Sequence, residues 1–351
     1  MKLAVAQIST AAGDISGNCE KIIDLIKKAK DKGAAIVIFP ELAIPGYLSL
    51  DLMLYPKYIE ENIEALNRIV NFSKGILVIV GFIDQDKDKI GPDHTPLKYN
   101  SAAIIYNQKI LAICDKTLLP DYDVFFENRY FSTGRGRKVV GFKGINLGVQ
   151  ICEDLWDENY PIKVSEDLVN KGADILINIS GSPFYMGKRK ERENLIRKAV
   201  LKYKVPFVYV NTVGTQDGYD GELVFDGQSM VFGKRGNLIL LGSKFKDEIF
   251  LFDYENLFAK KENLDIADDS IEDLYLALTQ GLKDYFQRNK FKKAFVGISG
   301  GIDSAVVAAL AKDALGEENV HGLCMIYKFT SDESISDSKI LAKNLNIKLE
   351  E

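Results

Sequence analysis

The chain has 351 residues, 46% hydrophobic and 27% charged, with 45 Lys and Arg against 50 Asp and Glu for a formal charge of -5. That length calls for two cores, and the charge balance leaves no electrostatic footprint for nucleic acid or an anionic membrane. Without a run near the ~20 apolar residues of a bilayer span or a signal-peptide layout at the start, a cytoplasmic protein is expected. The four scattered cysteines fit a reducing compartment, and two histidines, His94 and His321, argue against a Ser-His-Asp triad or a multi-histidine zinc site.

In chain order, apolar strand-like runs alternate with helix-period stretches. Lys2–Ile8 reads as a strand and Ile15–Lys32 as a helix, and the short apolar strand Ala35–Phe39 runs into Pro40-Glu41. A helix over Ile59–Phe72 leads to strand Ile76–Phe82, and Ser101–Tyr106 and Lys109–Cys114 flank Asn107-Gln108 as a tight hairpin. Asn146–Cys152, Asp174–Ile179 and Val205–Val210 are strands, with a basic helix at Arg189–Lys204. Ser229–Phe232, Leu238–Leu241 and Ile249–Phe252 suggest a β-meander joined at Gly233 and Gly236. The expectation for residues 1–255 is a layered α/β domain with parallel and antiparallel connections.

A charged stretch over 256–270, poor in large apolar residues, reads as a linker. Residues 271–351 then open a second, incomplete βαβ domain. Its elements are a helix over Ile271–Arg288, strand Ala294–Ile298, helix Asp303–Leu315, strand Val320–Met325, helix Ser336–Asn344 and a strand start at Ile347–Leu349.

Three motifs stand at strand ends: Phe39-Pro-Glu-Leu-Ala-Ile-Pro-Gly-Tyr47, Cys114-Asp-Lys-Thr-Leu-Leu-Pro120 and Gly148-Val-Gln-Ile-Cys-Glu-Asp-Leu-Trp156. Strand ends are where side chains from distant segments converge on a ligand. Amide hydrolysis needs a nucleophile, a base and an oxyanion donor. Cys152 would supply the thiol, Glu41 the carboxylate that takes and returns its proton, and Lys116 a fixed cation, helped by the Glu153 N–H. Taken singly, each has a plain reading: a packed cysteine, a turn glutamate, a solvated lysine.

Together, with these flanks, they resemble the nitrilase/amidase superfamily, with its Glu-Lys-Cys triad, over roughly residues 1–250. The resemblance implies an αββα sandwich. Within that superfamily, Phe125-Phe-Glu-Asn-Arg-Tyr-Phe131 and Asn178-Ile-Ser-Gly-Ser-Pro-Phe-Tyr-Met-Gly-Lys188 are similar to segments of the glutamine-dependent NAD synthetases. By that resemblance Glu127 hydrogen-bonds near the lysine and helps hold substrate, Ser182 hydrogen-bonds glutamine, and Tyr47 and Tyr122 line the pocket. Lys188 takes the basic position facing the substrate α-carboxylate. Some relatives carry Arg there, so the contact here is a point charge rather than a fork.

Ala294-Phe-Val-Gly-Ile-Ser-Gly-Gly-Ile-Asp-Ser304 is a strand, a glycine turn and a helix start, the makings of an anion cradle. Lacking Gly-x-x-x-x-Gly-Lys-Ser/Thr, it is not a kinase-type phosphate loop. It resembles the Ser-Gly-Gly-x-Asp-Ser loop of the ATP pyrophosphatase superfamily. Ser299, Gly300, Gly301, Ile302, Asp303 and Ser304 are accordingly expected to bind ATP, with Asp303 shaping the site or touching Mg²⁺. The run Met325–Asp337 is similar too, although Met-Ile-Tyr stands where those relatives have Met-Pro-Ser.

The resemblance implies a Rossmann-like parallel sheet here and a two-step reaction. Glutamine is hydrolysed through a Cys152 thioester, and the ammonia amidates nicotinate adenine dinucleotide adenylated with ATP and Mg²⁺. A homo-oligomer is expected, with no nucleic-acid or membrane partner and no cofactor for the glutaminase. The readings left open are a stand-alone amidase acting on another ω-amide, which the Ser299–Ser304 loop opposes, and a non-catalytic regulator, which the intact triad opposes.

Overall fold

Alternation along the first strand, β1 (Lys2–Gln7), sends Leu3 and Val5 to one face and Ala4 and Ala6 to the other. The same split recurs in β2 (Ala34–Ile38), where Ile36 and Ile38 part from Val37. Both faces are buried, so both must be covered, and the chain meets this demand with two sheets back to back. The computed structural model describes residues 1–91, 94–218, 222–259, 263–264 and 271–351, and divides into two units, Met1–Asp269 and Ser270–Glu351.

In the first unit, helix α1 (Ile15–Asp31) starts where Asp14 accepts the Gly17 N–H at 2.9 Å, and buries Ile15, Cys19, Ile22 and Ile26 at helical spacing. After β2 come α2 (Pro56–Phe72), β3 (Leu77–Ile90), β4 (Pro96–Tyr106), β5 (Lys109–Asp115), β6 (Val139–Phe142), β7 (Ile145–Ile151), α3 (Val164–Asn170) and β8 (Ile175–Ser180). Then follow α4 (Lys188–Tyr203), β9 (Phe207–Asn211), β10 (Val213–Asp217), β11 (Glu222–Asp226), β12 (Met230–Phe232), β13 (Leu238–Leu241) and β14 (Glu248–Asp253). One sheet runs β14-β1-β2-β3-β4-β5 and the other β13-β12-β9-β8-β7-β6.

Leu3, Val5, Ile36, Ile38 and Leu77 of the first sheet share a core with Val149, Ile151, Ile177, Ile179 and Val208 of the second. The outer face of the first sheet packs on α1 and α2, through residues such as Ile22, Ile26, Ile59 and Leu66. That of the second packs on α3 and α4 through Leu168, Ile196 and Val200. The result is a four-layer αββα sandwich. Each fully buried Ile or Leu contributes ~1.5–3 kcal/mol, and truncating one in the shared core costs ~2–5 kcal/mol.

The structure departs from the sequence reading in several places. β14 leaves the expected meander and pairs antiparallel with β1, Lys2 opposite Asp253, because alternation reports which faces are buried and not which strand lies alongside. The hairpin of β10 and β11 was not anticipated. Helix α4 is basic in sequence yet buries Arg189 and Arg192. The stretch read as linker begins on the first unit: Leu257 is buried, Asn263 Oδ1 accepts the Leu238 N–H at 2.9 Å, and the Leu264 N–H donates to the Leu238 carbonyl. The remainder of that stretch, 260–262 and 265–270, lies outside the described residues.

The second unit comprises α5 (Ile271–Arg288), β15 (Ala294–Gly297), α6 (Ile302–Leu315), β16 (Val320–Leu323), α7 (Asp332–Leu345) and β17 (Lys348–Glu350). Its three strands form a parallel sheet in chain order, two successive βαβ turns of a Rossmann-like layout, in the element order read from the sequence. Ile298, Ala308, Ala311, Val320 and Ala342 make its small core. Among the described residues no helix is long and apolar enough to cross a membrane.

Candidate active site

Three strand ends of the first unit deliver the reactive side chains: Glu41 follows β2, Lys116 follows β5 and Cys152 follows β7. The Glu41 turn crosses β3 at Gly81, where a Cβ would stand 2.2 Å from the Leu42 nitrogen; only glycine permits that crossing. Lys116 and Glu41 are each 1% exposed. The Lys116 Nζ donates to Glu41 Oε1 at 2.8 Å and to Glu127 Oε1 at 2.6 Å. Glu41 also accepts from Asn100 Nδ2 at 2.7 Å and, through Oε2, from the Gly181 N–H at 2.7 Å. Asn100 ties the pair further, its carbonyl accepting the Lys116 backbone N–H at 2.8 Å.

Burial works against the Lys116 ammonium, but the carboxylates of Glu127 and Glu41 outweigh it and raise its pKa well above the ordinary value. Glu127 is pushed up to about 7, first by burial, with Lys116 pulling down and Glu41 adding to the rise. Its Oε2 is buried and has no hydrogen-bond partner. The Cys152 thiol is pushed well up by burial and by Glu41, against the pull of Lys116, so the resting nucleophile is the thiol and a base must take its proton.

Cys152 has φ +41°, a left-handed conformation that costs a non-glycine residue ~1–2 kcal/mol. It begins a short 3-10 turn, Cys152–Leu155, whose Asp154 holds the strain in place. Asp154 Oδ2 accepts the Ile151 N–H at 3.0 Å, while Oδ1 accepts the N–H groups of Thr117 and Leu118, each at 2.9 Å. One carboxylate therefore joins the cysteine turn to the lysine loop. Burial lifts its pKa to about 7 against those three N–H donors.

Around this cluster the structure places the other expected residues. Tyr47 is 2% exposed, its hydroxyl without a partner, and its ring meets Phe225 edge-on at 5.6 Å. Glu41, Glu127 and Cys152 all act electrostatically on that hydroxyl. Ser182 is buried, and its Oγ accepts from Arg192 Nε at 3.1 Å. Lys188 lies with its Nζ 3.8 Å from the centre of the Trp156 ring, and pairs with Glu191 at 3.2 Å. Burial lowers its pKa. Tyr122 is half-exposed and turns its hydroxyl to the Glu153 carboxylate at 2.9 Å, where Tyr160 also donates at 2.9 Å.

Sequence reasoning missed Asn100, Asp154, Arg192 and the Glu153 side chain. Glu153 and Asp154 carried a local signal, one and two residues beyond the cysteine.

In the second unit, Ser299–Ser304 turns from β15 into α6. Gly300 has φ +78°, and a Cβ there would meet the Ser334 carbonyl oxygen at 2.7 Å. The Ser304 Oγ accepts the Ser299 N–H at 3.2 Å and donates to the Gly301 carbonyl at 3.0 Å, which closes the loop on itself. Ile302 is 75% exposed, and Asp303 lies in the first turn of α6. Among the described residues no group of three or more His, Cys, Asp or Glu side chains gathers to hold a metal. A cation beside Asp303 would take its remaining oxygens from nucleotide phosphates and water.

Residues 2–254 match the carbon-nitrogen hydrolase family and residues 274–351 the NAD synthase family. The chain is 36% identical to a glutamine-dependent NAD(+) synthetase of Thermotoga maritima, over 99% of this chain and 64% of that protein. It superimposes on the structure of a glutamine-dependent NAD+ synthetase from Acinetobacter baumannii, in complex with adenosine diphosphate, with a TM-score of 0.90. That match has 33% identity and covers 99% of this chain and 64% of the other. A nitrilase-superfamily amidase from Nesterenkonia shares the fold, with a TM-score of 0.61 and 20% identity over 72% of this chain and 89% of that one. The chain thus spans 64% of the length of the full synthetases it matches.

Proposed function

Because the chain belongs to the carbon-nitrogen hydrolase family, we propose that its first unit hydrolyses the side-chain amide of glutamine and that the ammonia feeds an ATP-dependent amidation of nicotinate adenine dinucleotide, as in the glutamine-dependent NAD(+) synthetases it resembles. The observation that carries the reading is the buried Glu41–Lys116–Glu127 chain, with Cys152 on a left-handed turn within its field.

Glu41 takes the proton from the Cys152 thiol as the sulfur attacks the amide carbon. The carbonyl oxygen becomes an oxyanion, stabilised by the Lys116 ammonium and the Glu153 N–H. Glu41 returns the proton to the amide nitrogen, the C–N bond breaks, and ammonia leaves a γ-glutamyl thioester on Cys152. A water that gives its proton to Glu41 then hydrolyses the thioester, releasing glutamate and restoring the thiol. Glu127 keeps Lys116 cationic and aimed.

Glutamine as substrate rests on the polar groups beyond the reacting centre. Its α-ammonium finds the buried Glu153 carboxylate, and its α-carboxylate finds Lys188 and the Ser182 hydroxyl. A simple aliphatic amide would bring these groups out of water without the contacts that glutamine makes to them, which costs affinity. In the second unit the Ser299–Ser304 backbone and the start of α6 suit the phosphates of ATP, and Asp303 would face a Mg²⁺ bound to them.

The test is ammonia release from glutamine, asparagine and propionamide, with NAD formation measured alongside. Glutamine is expected to win by at least a hundredfold in kcat/KM. Equal turnover of propionamide would favour an ω-amidase of another specificity.

A further inference from the structure

Arg192, on α4, is 0% exposed, and all five N–H donors of its guanidinium are engaged. Nη1 donates to Asp226 Oδ1 at 2.7 Å and Oδ2 at 2.9 Å. Nη2 donates to the carbonyls of Ser182 at 2.8 Å and Pro183 at 3.0 Å, and Nε donates to Ser182 Oγ at 3.1 Å. The Ser182 backbone is held from its other side by Asn211, whose Oδ1 accepts the Ser182 N–H at 2.9 Å and whose Nδ2 donates to the Ser182 carbonyl at 3.1 Å.

A buried guanidinium must find acceptors for all five donors, and its carboxylate partner takes only two, so what tells is where the other three are sent. Here three of the five donors go to a two-residue segment that borders the reacting cluster. The neighbouring Gly181 N–H holds Glu41 at 2.7 Å, and Arg192 and Cys152 interact electrostatically. The direction of the Nε contact matters. Arginine can only donate, so Ser182 Oγ can only accept from it. With that side of the oxygen occupied, the serine hydrogen is turned away from Arg192.

We infer that Arg192 is a positioning residue that fixes the Ser182 hydroxyl as a hydrogen-bond donor to the α-carboxylate of glutamine, and so sets the preference for an amino-acid amide over simpler ω-amides. The inference rests on the glutaminase reading above. Asp226 completes the device by fixing the guanidinium plane through both carboxylate oxygens. Lys188 supplies charge at the same end of the substrate without directional constraint; Arg192 supplies direction without touching the substrate.

The test compares glutamine with γ-aminobutyramide, which is glutamine without its α-carboxylate, in wild type, S182A, R192K and the double variant, with thermal melting as the check on folding. R192K is expected to shrink the glutamine preference in kcat/KM by about tenfold, through KM rather than kcat, with γ-aminobutyramide turnover little changed. S182A should do the same, and the double variant should lose no more than S182A alone, since both act on one contact. If R192K does not fold, D226N replaces it: the isosteric amide loosens the guanidinium and should move the preference the same way. Equal losses on both substrates, or additive losses in the double variant, would overturn the inference while leaving the glutaminase reading intact. A wild-type protein that releases no ammonia from glutamine would sink that reading itself.

Discussion

Asp154 holds the backbone nitrogen of Thr117 at 2.9 Å, and that contact, with its twin to the Leu118 nitrogen, sets how far the cysteine turn stands from the lysine loop. The carboxyl group is 1% exposed and its pKa is lifted by burial to about 7. A carboxyl raised on folding contributes its stability below its unfolded pKa of ~3.9 and loses it as pH climbs through the folded value. The melting temperature of wild type minus that of D154N should therefore be largest near pH ~4 and shrink steadily to pH ~8. A difference that stays constant across that range would contradict the assignment. In activity, D154N should lower kcat more than it raises KM, because it displaces the nucleophile and not the substrate contacts.

Cys152→Ala should abolish ammonia release while leaving the melting temperature within a few degrees, since the thiol makes no hydrogen bond that the fold needs. Incubating wild type with glutamine and quenching in acid should place the γ-glutamyl adduct on Cys152 by mass spectrometry. An adduct on Cys19, Cys114 or Cys324 would refute the nucleophile.

Lys116→Met removes the oxyanion donor and is expected to lower kcat by ~10²–10³. It also strands the Glu41 and Glu127 carboxylates in a buried site, so a stability loss of ~3–5 kcal/mol should accompany it. The double variant K116M/E127Q discharges one of them and should recover part of the stability without recovering turnover. Near-normal turnover in K116M would end the triad reading at its second member.

Lys188→Met should raise the KM for glutamine by about tenfold to a hundredfold with a smaller change in kcat, while Lys188→Arg should stay close to wild type. Stopped assays over a range of glutamine concentrations separate the two. An unchanged KM in K188M would move the carboxylate contact elsewhere.

Much of the site was legible because its three reactive residues each follow an apolar strand and carry distinctive flanks. Glu41 comes after Phe39-Pro40, Lys116 before Thr117-Leu118-Leu119-Pro120, and Cys152 before Glu153-Asp154. What stayed hidden depends on which segments meet in space. Asn100 lies mid-strand in β4 and looks like any polar residue there, until β4 brings it between Glu41 and Lys116. Arg192 sits in a helix so rich in Lys and Arg that its burial leaves no trace in the sequence, and its partner Asp226 is 34 residues away. Tyr122 was assigned to the pocket by resemblance, but its link to Glu153 required the fold to show it. Of the expected strands, β14 was found with nearly its true bounds and still assigned the wrong neighbour.

That neighbour has a consequence for synthesis on the ribosome. β1 lies between β2 and β14, so one edge of β1 is unpaired until the residues opposite it, 248–253, have been made. At ~5–20 residues per second, that interval is roughly 12 to 50 s. Throughout it, Leu3, Ala4, Val5 and Ala6 belong to an open, apolar sheet edge of the kind that recruits other strands. A nascent chain arrested before β14 should bind holdase chaperones, and one arrested a few dozen residues after it should not. The sandwich closes late, and by its first strand.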